Sequence, residues 1–168
     1  MKPEARAEVR ACLRRNHDDL LAYFERRVHV REDAADLLGE TFLQVWRRHE
    51  SLPVDPTRQR MWLFTIAANL LANHRRSGRR RTALTERLKS QMAVNPGARL
   101  DAPEQSAVRD AVLRLHVAHR ELVMLIHWDG FTVVEAAEVL GLNPSTARGR
   151  YAAARQALRE ALADAACT

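Results

Sequence analysis

The side chains best suited to chemistry in this sequence are arginines and short polar groups, which are concentrated in the segment FTVVEAAEVLGLNPSTARGRYAAAR. Guanidinium and hydroxyl groups hydrogen-bond to phosphate oxygens and to the edges of bases. The residues of this segment that could make such contacts are Pro144, through the start of its helix, and Ser145, Thr146, Arg148, Arg150 and Arg155. Their chemistry predicts binding to a polyanion such as DNA.

The spacing of turn and cap residues predicts two helices that would hold these groups. Thr132 and Glu135 form the T-x-x-E pattern of a capping box, so a helix should begin directly after the threonine. Gly141 can adopt the positive φ that ends a helix, and Asn143 followed by Pro144 is a favourable start for the next one. This spacing is typical of a helix-turn-helix, whose second helix enters the major groove of DNA.

One face of the second helix is predicted to pack against its neighbours. Small or apolar side chains recur on it at helical spacing, and these are Ala147, Tyr151, Ala154, Leu158 and Leu162. An ordinary helical hairpin with a basic, solvated face would explain the segment equally well. Taken alone, the segment leaves both interpretations open.

The N-terminal half carries three more helical patterns. The first runs from about Pro3 to Val28 with an expected break near Asn16 to Asp18, and the second from about Glu32 to Arg48. The third runs from about Arg58 to Arg76, after a loop at Glu50 to Thr57 in which Thr57 is the expected cap. This alternation predicts a small helical bundle.

Polar side chains cluster on the exposed faces of the second and third helices. Asp33, Asp36 and Glu40 lie largely on one side of the second helix, although complementing the helix dipole would explain part of that pattern. Asn69 and Asn73 lie one turn apart on the third. The densest positive charge of the sequence follows them, at Arg75, Arg76, Arg79, Arg80 and Arg81. We expect the third helix to end there, at the Ser-Gly pair.

Composition narrows the class of protein. The chain has 168 residues, a formal charge of +6 and a pI near 10.3, which favours a polyanionic partner. Its two cysteines lie near opposite ends, and no nucleophile with a base, metal-ligand spacing or glycine-rich phosphate loop is present. We therefore expect no catalytic residue, no metal and no cofactor. No apolar run approaches about 20 residues, so we expect a cytoplasmic protein without membrane insertion.

Helix-forming residues dominate the chain, so the predicted fold class is all-α. The segment VNPGARLDAPEQ has the proline, glycine and aspartate content of a linker. We expect two small helical domains, residues 1–78 and 104–168, joined by a flexible linker at 79–103.

The two halves together resemble the extracytoplasmic-function (ECF) group of the sigma-70 family, the promoter-recognition subunits of bacterial RNA polymerase. In the first half, DAADLLGETFLQVW and WLFTIAANLLANHRR are similar to the acidic D-x-x-Q-E-x-F helix of the family and to its W-L-x-x-I-A-x-N helix. In the second half, HRELVMLIHWDGFTVVEAAEVLGLNPSTARGRYAAARQALRE resembles the helix-turn-helix that binds the minus-35 element. The resemblance spans nearly the whole chain.

The resemblance implies partners and residue roles. It implies binding to core RNA polymerase, at the β′ clamp helices and the β flap, and the residues that match the clamp contact are Asp33, Asp36, Leu37, Glu40 and Phe42. It implies capture of the minus-10 element by Trp62, Asn69, Asn73, Arg75 and Arg76. It implies minus-35 recognition by the polar residues of the second helix already named. An anti-sigma factor is the usual regulator in the family.

Departures from the family pattern affect both binding surfaces. Gly39 stands where the family usually has glutamine, which costs the acidic helix about 1 kcal/mol in propensity. Ala152 and Ala153 replace larger or basic residues that often touch DNA, Gly149 stands where serine is frequent, and His116 stands at a common proline position. The alternative function is an autonomous helix-turn-helix regulator that binds duplex DNA as a dimer without the polymerase.

Overall fold

The computed structural model describes the backbone of residues 3–86 and 103–166, and the side chains of residues 3–78 and 107–163. Within these ranges the chain forms α-helices, one short 3-10 helix and no strand, which confirms the all-α prediction. The chain divides into two compact units, Met1–Pro96 and Gly97–Thr168. Most of the predicted linker lies outside the described residues, and the limits proposed for the two domains stay predictions.

Three helices build the first unit, α1 (Pro3–Glu25), α2 (Arg31–Arg47) and α3 (Pro56–Glu86), with the 3-10 helix His49–Ser51 before α3. Each helix is amphipathic and buries its apolar face, because removing apolar side chains from water is favourable. The buried face of α3 consists of Met61, Leu63, Phe64, Ile66, Ala67 and Leu71. Its Phe64 ring meets Tyr23 of α1 edge to face, with 5.3 Å between the ring centroids.

Polar contacts also link the same three helices at the edges of their interfaces. Arg60 of α3 forms a 3.0 Å salt bridge with Asp19 of α1. His74 of α3 lies 3.5 Å from the carboxylate of Asp33 in α2. Exposed pairs of this kind contribute at most about 1 kcal/mol each, so burial of the apolar faces dominates the stability of the unit.

Helix α1 is continuous, so the break predicted near Asn16 is wrong. The Asn16 side chain is buried and donates a 2.9 Å hydrogen bond to the carbonyl oxygen of Cys12, one turn earlier. This bond satisfies a polar group that would otherwise favour a turn. Cys12 is itself buried, and burial raises the pKa of its thiol, which marks it as a core residue and not a reactive nucleophile.

Both ends of α3 differ from the prediction. Asp55, not Thr57, caps its start, since the Asp55 carboxylate accepts a 2.9 Å hydrogen bond from the backbone N–H of Arg58. Pro56 then occupies the first helical position. The helix continues through Gly78 to Glu86 instead of ending near Arg76, because the arginines, alanine and leucine that follow are good helix formers.

The second unit contains α4 (Pro103–Arg114), α5 (Val117–His127), α6 (Val133–Val139) and α7 (Pro144–Ala166). A bend at Leu115 separates α4 from α5, and the side chain of His116 caps α5 by accepting a hydrogen bond from the N–H of Ala118. Val112, Leu115, Val123, Met124 and Ala154 form a buried cluster. Helix α7 therefore packs against α4 and α5 as well as α6.

The turn between α6 and α7 forms as predicted. Thr132 and Glu135 make the capping box reciprocally, with a 3.2 Å bond to the threonine oxygen and a 2.8 Å bond to the glutamate. Gly141 has a φ of +64°, and the N–H of Leu142 donates to the carbonyl of Ala137 at 2.8 Å. This is the Schellman arrangement, which satisfies the last carbonyls of α6.

Asn143 then starts α7, because its side-chain oxygen accepts hydrogen bonds from the backbone N–H and the hydroxyl of Ser145, at 2.9 and 2.8 Å. Ala137 of α6 and Ala147 and Ala154 of α7 are completely buried. The absence of longer side chains at these positions lets α7 approach its neighbours closely.

Replacing Gly39 by alanine should stabilise the first unit. Gly39 lies inside α2, is exposed, and has no atom within 4 Å of the position that a Cβ would take. Alanine has the higher helix propensity by about 1 kcal/mol, so G39A should raise the free energy of unfolding in urea by about that amount. A G141A control should instead lose about 1 to 2 kcal/mol, because Gly141 has a positive φ. Destabilisation by G39A would contradict this account.

The two adjacent alanines of α7 should differ in their response to enlargement. Ala154→Leu should destabilise the second unit by about 1 to 3 kcal/mol, because its site is completely buried. Ala153→Leu, at an exposed neighbouring position, should change stability by less than about 0.5 kcal/mol. Urea titration followed by the fluorescence of Trp128, the tryptophan of this unit, measures both. Equal effects would show that the assigned packing face of α7 is wrong.

Candidate functional site

The residues predicted to contact DNA occupy the first turns of α7 but do not share a single face. Pro144, Ser145, Thr146, Arg148 and Arg155 are exposed. Successive residues of an α-helix are about 100° apart around the axis, which places Arg148 and Arg155 on one flank of α7. Arg150 lies on the opposite flank and is half-buried. A duplex lying along α7 would therefore meet positive charge on both sides.

Between these flanks, the outward surface of α7 carries small residues. Gly149, Ala152 and Ala153 are exposed, and no atom lies within 4 Å of a Cβ built at Gly149. Gln156 is a long polar residue on this surface, and its amide nitrogen donates a 2.7 Å hydrogen bond to Glu160. Sequence reasoning missed Gln156, although its spacing of seven residues from Gly149 could have placed it there. Few side chains in this strip can reach base edges.

Tyr151 anchors the arginine flank to the rest of the unit. Its hydroxyl and the Nε2 atom of His127 in α5 are hydrogen-bonded at 2.9 Å. The guanidinium carbon of Arg155 lies 5.8 Å from the centroid of the same tyrosine ring, within the range of a cation–π interaction. The arginine is therefore restrained near the surface of α7 and keeps its positive charge exposed.

A second candidate surface lies on α3. Asn69 and Asn73 are exposed one turn apart, and Trp62 is half-buried. A nitrogen of the Arg76 guanidinium donates a hydrogen bond to the side-chain oxygen of Asn73, and the Asn73 amide nitrogen keeps its own capacity to donate. Arg75 is half-buried beside them. This surface combines amide groups with guanidinium charge.

The loop before α3 exposes an apolar side chain. Val54 is 89% exposed, between Pro53 and the capping residue Asp55. Gln59 of α3 holds the loop from inside, since its amide nitrogen donates a 2.9 Å hydrogen bond to the carbonyl of Pro53. The loop therefore presents Val54 to solvent on a fixed backbone.

The third candidate surface is the outward face of α2. Asp36 and Glu40 are exposed there, one turn apart. Leu43, which the sequence interpretation missed, continues the face and is 56% exposed. Residues seven apart lie on the same side of a helix, so the spacing from Asp36 could have assigned Leu43 to this face. A leucine at that position lies outside the buried stripe. The face combines negative charge with one large apolar side chain.

Three residues predicted with this face lie elsewhere. Leu37 is only 5% exposed and belongs to the core, which does not favour its predicted role as a contact residue. Asp33 is half-buried on the α3 side, where it meets His74. Phe42 is half-buried on the α1 side, with its ring edge-on to His17 at 6.1 Å.

Two kinds of site are absent from the described part of the chain. Its His, Cys, Asp and Glu side chains form no group of three or more that could hold a metal ion. No helix within the described ranges is long and apolar enough to cross a membrane.

Both units of the chain match models of known protein families. Residues 12–81 match the model of sigma-70 region 2, and residues 105–158 match the model of sigma-70 region 4. The first match covers the candidate surfaces of α2 and α3, and the second covers the helix-turn-helix.

Similar proteins span almost the same length. SigL, an ECF RNA polymerase sigma factor of Mycobacterium tuberculosis, is 28% identical over 170 residues, which cover 98% of this chain and 96% of SigL. The RNA polymerase sigma factor CnrH of Cupriavidus metallidurans is 32% identical over 163 residues, covering 89% and 83% of the two chains.

Solved structures agree with this result. CnrH in complex with the cytosolic domain of CnrY aligns with a TM-score of 0.66 and 26% identity, over 95% of this chain and 90% of CnrH. RpoE of Bartonella quintana, solved with the anti-sigma factor NepR, aligns with a TM-score of 0.70 and 23% identity, over 96% and 98% of the chains, and supports the fold. The chain belongs to the ECF group of the sigma-70 family of RNA polymerase sigma factors.

Proposed function

We propose that this sigma factor binds core RNA polymerase and directs initiation at promoters by recognising minus-10 and minus-35 elements, under the control of an anti-sigma factor. The observation that carries the proposal is the presence, in one chain, of both sigma regions, each with a charged or polar exposed face. Its site of action is the cytoplasm, and its role is recognition without a catalytic step.

The outward face of α2 is the proposed contact with the β′ clamp helices of the polymerase. Asp36 and Glu40 supply negative charge at exposed positions, and Leu43 supplies apolar area between charged neighbours. Complementary charge speeds association and selects the partner, while burial of an apolar side chain contributes to affinity. We leave Leu37 out of the contact because it is buried.

The exposed face of α3 is the proposed reader of the minus-10 strand. The amides of Asn69 and Asn73 can donate to and accept from unpaired base edges, and the half-buried Trp62 offers part of an aromatic surface. Arg75 and Arg76 would hold the phosphate backbone nearby. The hydrogen bond between Arg76 and Asn73 supports one joint role for the two residues.

The first turns of α7 are the proposed reader of the minus-35 duplex. The start of the helix at Pro144 is exposed, where the positive end of the helix dipole favours a phosphate, and Ser145 and Thr146 follow it. Arg148 and Arg155 on one flank and Arg150 on the other would contact phosphates on both sides. Because the strip between them carries glycine and alanine, we expect phosphate contacts and DNA shape to supply more of the affinity than base contacts.

The proposed control by an anti-sigma factor is drawn from the family and its complexes. CnrH, which is similar over most of this chain, was solved with the cytosolic domain of CnrY. The alternative of an autonomous regulator is not favoured, because the N-terminal unit matches a sigma region instead of a dimerisation or sensor domain.

Charge reversal on α2 should weaken polymerase binding. The double substitution Asp36→Lys and Glu40→Lys should weaken binding to core polymerase at least tenfold, because it places positive charge against the basic partner expected here. A control with Glu4→Lys and Glu8→Lys makes the same change in net charge at exposed positions of α1. Binding measured by fluorescence anisotropy of the labelled sigma factor should be retained by the control. Equal affinity of both double variants would overturn the assignment of this face.

Removal of one arginine from α7 should change the salt dependence of promoter binding. Arg148→Ala in reconstituted holoenzyme should lower the slope of log K against log salt concentration by about 1, because one phosphate contact is lost. Arg114→Ala, an exposed arginine of α4, serves as the control and should leave the slope unchanged. Titration of a duplex promoter fragment at several salt concentrations measures both slopes. An unchanged slope for Arg148→Ala would remove it from the DNA contact.

A further inference from the structure

One buried residue of α3 holds the backbone on both sides of Val54. The backbone N–H of Gln59 donates a 2.8 Å hydrogen bond to the carbonyl of Asp55. Its side-chain amide nitrogen donates a 2.9 Å hydrogen bond to the carbonyl of Pro53. Val54 lies between these two carbonyls in the chain, and its side chain is 89% exposed. The loop conformation that presents Val54 to solvent therefore depends on Gln59.

The Gln59 amide is itself held from α1. Its side-chain oxygen accepts a 2.7 Å hydrogen bond from a guanidinium nitrogen of Arg15. Gln59 is only 2% exposed, so an unpaired amide atom at this site would be costly. Because a guanidinium group can only donate, Arg15 fixes the amide oxygen on its own side and leaves the nitrogen for the carbonyl of Pro53. Arg15 therefore determines which end of the amide faces the loop.

Attachment of α1 to α3 does not require this arrangement. The rings of Tyr23 and Phe64 already join the two helices. A salt bridge between Arg60 and Asp19 adds a polar link at the same interface. A carbonyl in a surface loop can also be satisfied by water without a buried amide. The specific effect of the Gln59 bonds is to restrict the loop, which lowers the entropy that Val54 loses when it meets a partner.

The loop lies at the beginning of the α3 face that we assign to the minus-10 strand. Trp62 is six positions from Pro56, the first residue of α3, which is about 9 Å along the helix axis. A strand that lies on this face can therefore extend from Trp62 to the loop. Arg58 is exposed in the first turn and offers positive charge to a phosphate.

We propose that Gln59 and Arg15 are positioning residues for minus-10 recognition, which hold Val54 in contact with an unpaired base. The methyl groups of Val54 can pack against the face of a base or against the methyl group of thymine, so they discriminate by shape. Gln59 is buried and acts only through the loop. The inference rests on the proposed function, since it concerns how the same strand is read.

The polymerase is the less suitable partner for this loop. The contact proposed for α2 requires a basic partner surface, because Asp36 and Glu40 are acidic. Arg58, close to Val54 in sequence, would repel a surface of that charge. A nucleotide instead offers an apolar base to Val54 and a phosphate to Arg58.

Selection of single-stranded DNA by reconstituted holoenzyme tests the proposal. The probe is a pool of oligonucleotides with a short randomised segment, and sequencing of the bound fraction gives the base preference at each position. Gln59→Glu keeps the contact with Arg15 but places a carboxylate oxygen against the Pro53 carbonyl, which releases the loop. Gln59→Glu and Val54→Ala should relax the preference at the same base position. Each should weaken binding of the sequence that the wild type selects by about fivefold.

Two further variants separate positioning from a general loss of structure. Arg15→Met should relax the same base position, because the Gln59 amide is then free to turn over, and its exposed site tolerates the change. Arg14→Met removes the same charge from the neighbouring exposed position and should keep the wild-type preferences. Val54→Ala should cause no further loss of binding when Gln59→Glu is already present, whereas Asn69→Ala should add its full effect and relax a different position.

Three results would overturn the proposal: Val54→Ala and Gln59→Glu relaxing different positions, additive losses from these two changes, or equal effects of Arg14→Met and Arg15→Met. Loss of core polymerase affinity by Val54→Ala with unchanged DNA selection would assign the loop to the polymerase instead. Failure of the wild-type holoenzyme to select any sequence would overturn the proposed function together with this inference. Normal wild-type selection with unchanged preferences in the Gln59 and Arg15 variants would overturn the inference alone.

Discussion

Burial of a single face of α3 is the interaction on which the first unit depends. Leu63, Phe64 and Ala67 are completely buried on this face, where they hold α1 and α2 against the same helix. Because an α-helix has a fixed period, residues outside this stripe must project away from the core. The exposed positions of Asn69 and Asn73 are a direct consequence. The packing that stabilises the unit thus also determines which polar groups are presented for binding.

A comparable constraint acts on α7, where small side chains have two different roles. Ala147 and Ala154 are completely buried and permit close packing against the neighbouring helices. Gly149, Ala152 and Ala153 are exposed on the surface that we propose as the DNA contact, where they leave few groups for reading bases. The same residue type therefore contributes to packing on one side of the helix and limits recognition on the other.

The sequence predicted the turn between α6 and α7 correctly because local hydrogen bonds determine it. The capping box of Thr132, the positive φ of Gly141 and the cap at Asn143 each depend on residues a few positions away. The uninterrupted course of α1 through Asn16 could not be predicted in this way, since the burial of that residue depends on packing against other helices. The prediction likewise ended α3 at the Ser-Gly pair, because it gave the low helix propensity of glycine more weight than the good helix formers that follow.

The candidate sites were predictable to a different degree. Asp36, Glu40, Asn69 and Asn73 are exposed, which is compatible with the roles that the family resemblance implies for them. Leu37 differs because it is buried, and the helical period of one helix does not indicate how wide its buried face is. The hydrogen bond between Arg15 and Gln59 joins residues 44 positions apart, so no local pattern could indicate it.

The central claim is that this one chain supplies both polymerase binding and promoter choice. Run-off transcription on fragmented genomic DNA, with core polymerase and the purified chain, tests it most directly when the start sites are mapped. The account predicts discrete start sites that core polymerase alone does not use, preceded by shared minus-10 and minus-35 sequences. It would be contradicted if the chain bound duplex DNA by itself as a dimer and gave no new start sites with the polymerase.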